Sequence, residues 1–270
     1  MASKEEREYI LKVNRILGKA FYLSLGTNMT EIDLREEYKT KSVYKKYLGE
    51  NYDFHGHEDN FSTVISNHFS YVEPQYFLSK LSPSYVSKSS AKKAPLVGKI
   101  GEVLNNFWID RTSKNNRFEI IEKIEERQRL TMDKKCLNPL CLFPEGTTTN
   151  AKTIISFKKG AFYSLTPIKI FYFEVDLRKN YFSIATAGMD MMIHIILYCT
   201  FLKHDLNVYE MPVFAPNDYL FENYKHLGKD KAEIFSEACR RVLSEISGFQ
   251  LSNSTWDQKL QYITKILKLL

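Results

Sequence analysis

The sequence predicts an α/β fold: a mixed, largely parallel sheet covered by helices, with an N-terminal helical extension and a C-terminal amphipathic helix. Two observations carry this expectation. From residue 61 to 246 short apolar runs alternate with helix-length segments, the pattern of strands connected by covering helices. The 270 residues, 44% hydrophobic and 26% charged, also have the composition of a globular chain able to bury a full core, with no internal repeat or low-complexity tract.

The first 50 residues read as two helices separated by Gly26-Thr27-Asn28. Ile10, Val13, Leu17 and Phe21 make one apolar stripe, and Leu34, Tyr38 and Tyr44 a weaker one. A polar loop from Asn51 to Asn60 then leads to a strand, Phe61 to Ser66. Further strands are expected at 85–87, 107–109, 140–143, 168–175, 181–186 and 208–214, with helices at 91–100, 118–130, 157–165, 189–202 and 231–246. The organisation is an extension over 1–58, a main domain over 59–250 and a terminal helix over 251–270. In that helix Trp256, Leu260, Ile263, Leu267 and Leu270 fall on one face beside Lys259, Lys265 and Lys268, a pattern suited to a membrane interface, a partner or the chain's own domain.

Charge narrows the partners. The 38 Lys and Arg exceed the 32 Asp and Glu by six, and between Lys80 and Arg117 eight basic residues face only Glu102 and Asp110. That concentration is either a solvated basic face or a place where phosphates are held, and nothing in it demands nucleic acid. Cys136, Cys141, Cys199 and Cys239 form no C-x-x-C pair and no zinc spacing, so they read as free thiols in a reducing compartment. The start MASKEEREYI carries no secretory pattern. The longest apolar run, Met191 to Leu202, is short of a bilayer span. An intracellular protein attached to a membrane only peripherally is expected.

Nucleophile-elbow, phosphate-loop, dinucleotide and H-E-x-x-H motifs are all missing. His55, His57, Glu58 and Asp59 form a potential metal cluster that reads better as a solvated loop. More informative is Ser66-Asn67-His68-Phe69-Ser70-Tyr71-Val72-Glu73, where a strand ends in Asn-His and an acid follows. On one straight helix His68 and Glu73 would lie about 140° apart, but a turn after the strand lets them meet. A carboxylate on one imidazole nitrogen frees the other as a general base; a satisfied histidine at a strand end is the plainer alternative. Two further constellations follow. Leu142 to Asn150 runs a strand into a Pro-Glu-Gly turn with three threonines, and Phe107-Trp108-Ile109-Asp110-Arg111 delivers an arginine at a strand end.

Together these residues resemble the glycerophospholipid acyltransferase family, whose first motif is Asn-His and, after four intervening residues, Asp. The chain is most like the acyl-CoA:lysophospholipid acyltransferases. The matching segments, in order, are Ser66 to Tyr71, Ile109-Asp110-Arg111, Glu145 to Asn150 and Phe157 to Phe162, with Met211 to Pro216 as a late strand. The resemblance implies transfer of a fatty acyl group from acyl-CoA, a co-substrate, to a lysophospholipid or glycerol phosphate hydroxyl, with no cofactor and no metal. It implies His68 as base and Glu73 as its orienting acid, with Asn67, Arg111, Glu145, Gly146 and Thr147 at the acceptor. The expected partners are acyl-CoA, a lysophospholipid and the surface of an endoplasmic reticulum or mitochondrial membrane.

The chain departs from the family pattern at several positions. Glu73 replaces Asp, which moves the carboxylate by about 1.5 Å unless the backbone compensates. Asn105 stands at a usual glycine, and Lys169 enters a strand that is normally apolar. These changes leave open an alternative: an acyltransferase fold kept as a non-catalytic lipid-binding or structural subunit of a larger membrane assembly.

Overall fold

The computed structural model describes residues 4–58, 60–93, 95–109, 116–135, 138–175, 180, 182–185, 190–201, 203–255, 258–259 and 261. The strands are β1 (Thr27–Asp33), β2 (Thr63–Ile65), β3 (Ser84–Lys88), β4 (Phe107–Ile109), β5 (Leu140–Leu142), β6 (Thr153–Ile154), β7 (Ile168–Val175), β8 (His204–Phe214) and β9 (Gln250–Leu251). The helices are α1 (Lys4–Ser24), α2 (Tyr38–Leu48), α3 (Val72–Lys80), α4 (Pro95–Val103), α5 (Asn116–Met132), α6 (Met191–Thr200), α7 (Asp218–Asn223) and α8 (Lys231–Ser247).

Seven strands form one sheet in the order β1-β8-β7-β2-β5-β3-β4. β2, β3, β4, β5 and β7 are parallel, β8 is antiparallel to β7, and β1 runs parallel to β8. The fold is therefore the mixed, mostly parallel α/β sheet expected. β2 lies inside it, buried on both faces. Ile65 packs in the layer formed with α2 and α8, and Val64 in the layer formed with α3 and α6. Two such apolar layers about one sheet are what hold an α/β domain together.

Several expectations need correction. Residues 1–58, expected as a helical extension, contain β1, an edge strand paired with β8 from Thr27–His204 to Asp33–Glu210. Its sequence TNMTEID shows little apolar alternation because an edge strand leaves most side chains in water. The core-facing side of α1 is also turned by about one residue from the predicted stripe. Leu11, Asn14 and Tyr22 are buried, whereas Leu17 and Phe21 are exposed. Gly18 decides this rotation: a Cβ there would sit 3.0 Å from the Ser79 backbone nitrogen, so only glycine lets α1 approach α3 this closely. Tyr38 is exposed as well, whereas Leu34 and Tyr44 of the second stripe are buried, and α2 also buries Thr40, Tyr47 and Leu48.

Residues 157–165 form a short 3-10 turn at Lys159–Ala161 rather than a helix. The segment is tied down by the Lys158 N–H, which donates to the Pro144 carbonyl at 2.8 Å, and by Phe157 stacking on Phe162. The strand expected at 181–186 is irregular across its described residues 182–185. Trp256, Ile263, Leu267 and Leu270 of the terminal amphipathic helix, like Leu260, lie outside the described residues, as do Asp110, Arg111, Asp59 and Cys136.

Candidate active site

Parallel α/β sheets bind ligands beyond the carboxyl ends of their strands. There the first and third motifs meet, because β2 and β5 are adjacent and end in register at Ile65 and Leu142. His68 lies in the turn between β2 and α3, and Glu73 in the first turn of α3. The chain bends between them, which brings His68 Nδ1 to 3.3 Å from Glu73 Oε1. Glu73 is fully buried, and the same oxygen accepts from the Phe69 and Ser70 N–H groups at 2.6 and 3.1 Å. One carboxylate oxygen thus fixes both the loop and the ring. Its other oxygen, Oε2, is buried with no hydrogen-bond partner among the described residues.

The imidazole stacks on Phe143, with centroids 4.1 Å apart, and its side chain is 19% exposed. With Nδ1–H on Glu73, the Nε2 lone pair is left for a proton from outside, and no described residue bonds to it. The main chain of His68 is held from both sides by the third motif. Its N–H donates to Glu145 Oε1 at 3.0 Å, and its carbonyl accepts from the Thr149 N–H at 2.7 Å and the Thr149 hydroxyl at 3.2 Å.

Two residues expected at the acceptor face inwards instead. The Asn67 side-chain NH2 donates to the Phe173 carbonyl at 3.0 Å and its Oδ1 accepts from the Phe173 N–H at 2.9 Å. It extends the β2–β7 pairing by one side chain and is buried, with both polar atoms engaged by β7. Glu145 is buried, accepting from His68 N–H through one oxygen and from Ile155 N–H at 3.2 Å through the other. Both are positioning residues for the His68 turn.

Gly146, with φ +67°, and the half-exposed Thr147 and Thr148 form the open part of the same turn. A Cβ on Gly146 would meet the Lys158 side chain at 2.8 Å, so that cation lies over the turn. A second cation arrives from the chain's end: the Lys259 ammonium donates to Thr147 Oγ1 at 2.9 Å and to the Thr148 carbonyl. No described carboxylate lies within 4 Å of it, and desolvation lowers its pKa against the attraction of Glu145. Spacing could not reveal this contact, since 112 residues separate Lys259 from Thr147. Arg111 lies outside the described residues.

The departures from the family pattern are accommodated. Lys169 is buried but ion-paired with Glu210 Oε1 at 2.9 Å. Asn105 adopts φ +52°, the conformation that a glycine would take there without cost. No group of three or more potential metal ligands occurs among the described residues. In the 55–58 loop Glu58 pairs with Arg35, and His57 stacks on Tyr52.

Burial pushes the Glu145 carboxyl up to about 8, with Glu73 adding to the rise and the two backbone N–H groups and Arg240 opposing it. Its protonated form stabilises the fold fully below the unfolded carboxyl's pKa, about 4.3, and that contribution is lost as pH rises from there through about 8. Glu145→Gln, neutral at every pH, removes the dependence. Thermal unfolding midpoints should fall more steeply from about pH 5 to 8 in the parent than in the variant. Parallel curves would show that Glu145 stays ionised.

Residues 55–171 match the acyltransferase family. The chain carries a domain of that family. Two lysophospholipid acyltransferases of Arabidopsis thaliana are similar to it: one is 33% identical over 187 residues, 68% of this chain and 46% of that protein. The other is 29% identical over 203 residues, 73% of this chain and 36% of that protein. The chain thus spans less than half the length of either relative. The crystal structure of the 1-acyl-sn-glycerophosphate acyltransferase PlsC of Thermotoga maritima superposes with a TM-score of 0.54 at 18% identity. That match covers 92% of this chain and 84% of the other. It shares the fold.

Proposed function

We propose that this acyltransferase moves a fatty acyl group from acyl-CoA to the free hydroxyl of a lysophospholipid at a membrane surface. The observation that carries this reading is the partly exposed His68 ring, with Nδ1 3.3 Å from buried Glu73 and no described residue bonded to Nε2. Nε2 takes the acceptor's hydroxyl proton, and the alkoxide attacks the thioester carbonyl. The C–S bond then breaks, and the CoA sulfur leaves with the proton held by the imidazolium. No acyl-enzyme is formed and no metal or cofactor takes part. Beside the tight turn at Gly146, the Thr147 hydroxyl and the Lys158 and Lys259 ammonium groups offer the acceptor's phosphate a hydrogen bond and positive charge, joined by Arg111 in line with the family resemblance. The basic stretch from Lys80 to Lys99 suits the CoA phosphates. The retained His68–Glu73 contact favours catalysis over a purely structural subunit.

The test is release of free CoA by the purified chain, given acyl-CoA and a panel of lysophospholipids. Release should require both substrates and yield the diacyl product. CoA release that no acceptor raises above slow thioester hydrolysis would overturn the reading.

A further inference from the structure

Among the described residues no helix is long and apolar enough to cross a membrane, yet α6 is apolar on all sides. Residues 191–200, MMIHIILYCT, contain no Asp, Glu, Lys or Arg. A helix of that kind is normally enclosed by a protein core or by lipid. Here one face is enclosed: His194 and Tyr198 are buried, with the Tyr71 ring 5.8 and 6.0 Å from theirs. The opposite face is open, with Met192, Ile193 and Ile196 at 61, 54 and 62% exposure.

We propose that α6 is an interfacial docking helix, which rests in the plane of a bilayer leaflet and buries Met192, Ile193 and Ile196 among the acyl chains. Three observations select lipid as the occupant. Tyr71 belongs to the turn that carries His68, so a leaflet against α6 lies beside the site; this step rests on the proposed lipid acceptor. The ten residues of α6 span about 15 Å, half of a hydrocarbon core, so the helix can lie in a leaflet but not cross it. The exposed apolar surface also continues onto a second helix. The last turns of α1 expose Phe21 and Leu23, and the chain that follows is tied to α6 through Thr27, which bonds Tyr198. Exposed Lys19, within one turn of Phe21, brings positive charge to the last turns of α1, as anionic headgroups require, whereas Lys203 after α6 is paired with Asp205 at 3.2 Å.

The experiment compares flotation of the full chain and the Ile193→Asp/Ile196→Asp variant with phosphatidylcholine vesicles containing phosphatidylserine, at low and high salt. Partitioning should drop by about tenfold or more in the variant at both salt concentrations, because the lost contribution is apolar. Met192→Trp in the otherwise native chain should add an indole emission, read as the difference from the parent, that shifts to the blue when vesicles are added. Equal flotation of parent and the double variant, or an added indole emission that vesicles leave unmoved, would overturn the assignment. So would a parent that is dimeric without vesicles and becomes monomeric in the double variant, since a second copy would then cover this face. Flotation needs no turnover: a chain that floats through α6 yet releases no CoA would sink the proposed reaction and leave the docking helix standing.

Discussion

His68→Ala should lower acceptor-dependent CoA release by about a thousandfold, within the range contributed by a positioned general base. Its ring has one nitrogen 3.3 Å from a buried carboxylate and the other bonded to no described residue, and no second histidine shares the turn. The fold should be unaffected, because the turn is held by main-chain groups. The His68 N–H on Glu145, its carbonyl under Thr149 and the Phe69 and Ser70 N–H groups on Glu73 all survive the substitution. Unchanged unfolding midpoints with unchanged KM for both substrates would therefore place the loss in kcat. Turnover within roughly threefold of the parent would move the base elsewhere, since a truncated imidazole leaves nothing there to accept a proton.

The contrast between what local pattern reveals and what it conceals is clearest at this site. β7 and β4 appear at their expected limits because short runs rich in apolar residues mark strands, β7 buried from Ile168 to Phe173 and β4 half-buried at the sheet edge. The meeting of His68 with Glu73 is legible too, once the strand is seen to end before Asn67. β1 is not legible, since an edge strand of mostly polar residues reads as a loop. The rotation of α1 is hidden for the opposite reason: apolar residues surround it, and a long-range contact at Gly18 selects the buried face. The inward turn of Glu145 depends on two N–H groups, one of them 77 residues away, needing an acceptor. The motif gives the residue, and only the assembled sheet gives its partner. The same applies to Lys259, whose contact with the Thr147–Thr148 turn has no counterpart in local spacing.

Glu73→Gln should cost about a thousandfold in kcat while leaving the fold in place, the second of the two largest effects. The amide oxygen can still accept from the Phe69 and Ser70 N–H groups, and the amide NH2 takes the position of Oε2, which has no partner to lose. The amide oxygen can still accept from Nδ1–H, so what disappears is the negative charge that stabilises the imidazolium formed when the acceptor gives up its proton. Glu73→Asp keeps the charge but shortens the reach by about 1.5 Å, so the carboxylate cannot serve both the loop N–H groups and Nδ1 from the present backbone. A loss of about a hundredfold is expected, as for other small misplacements of a catalytic group. The order Glu, then Asp, then Gln in kcat, with little change in KM, separates orientation of His68 from a merely structural role, which would show first in unfolding midpoints. A Gln variant with parental turnover would remove Glu73 from the mechanism. An Asp variant faster than the parent would mean that the turn is still built for the shorter acid, and that Glu73 marks a site drifting away from catalysis.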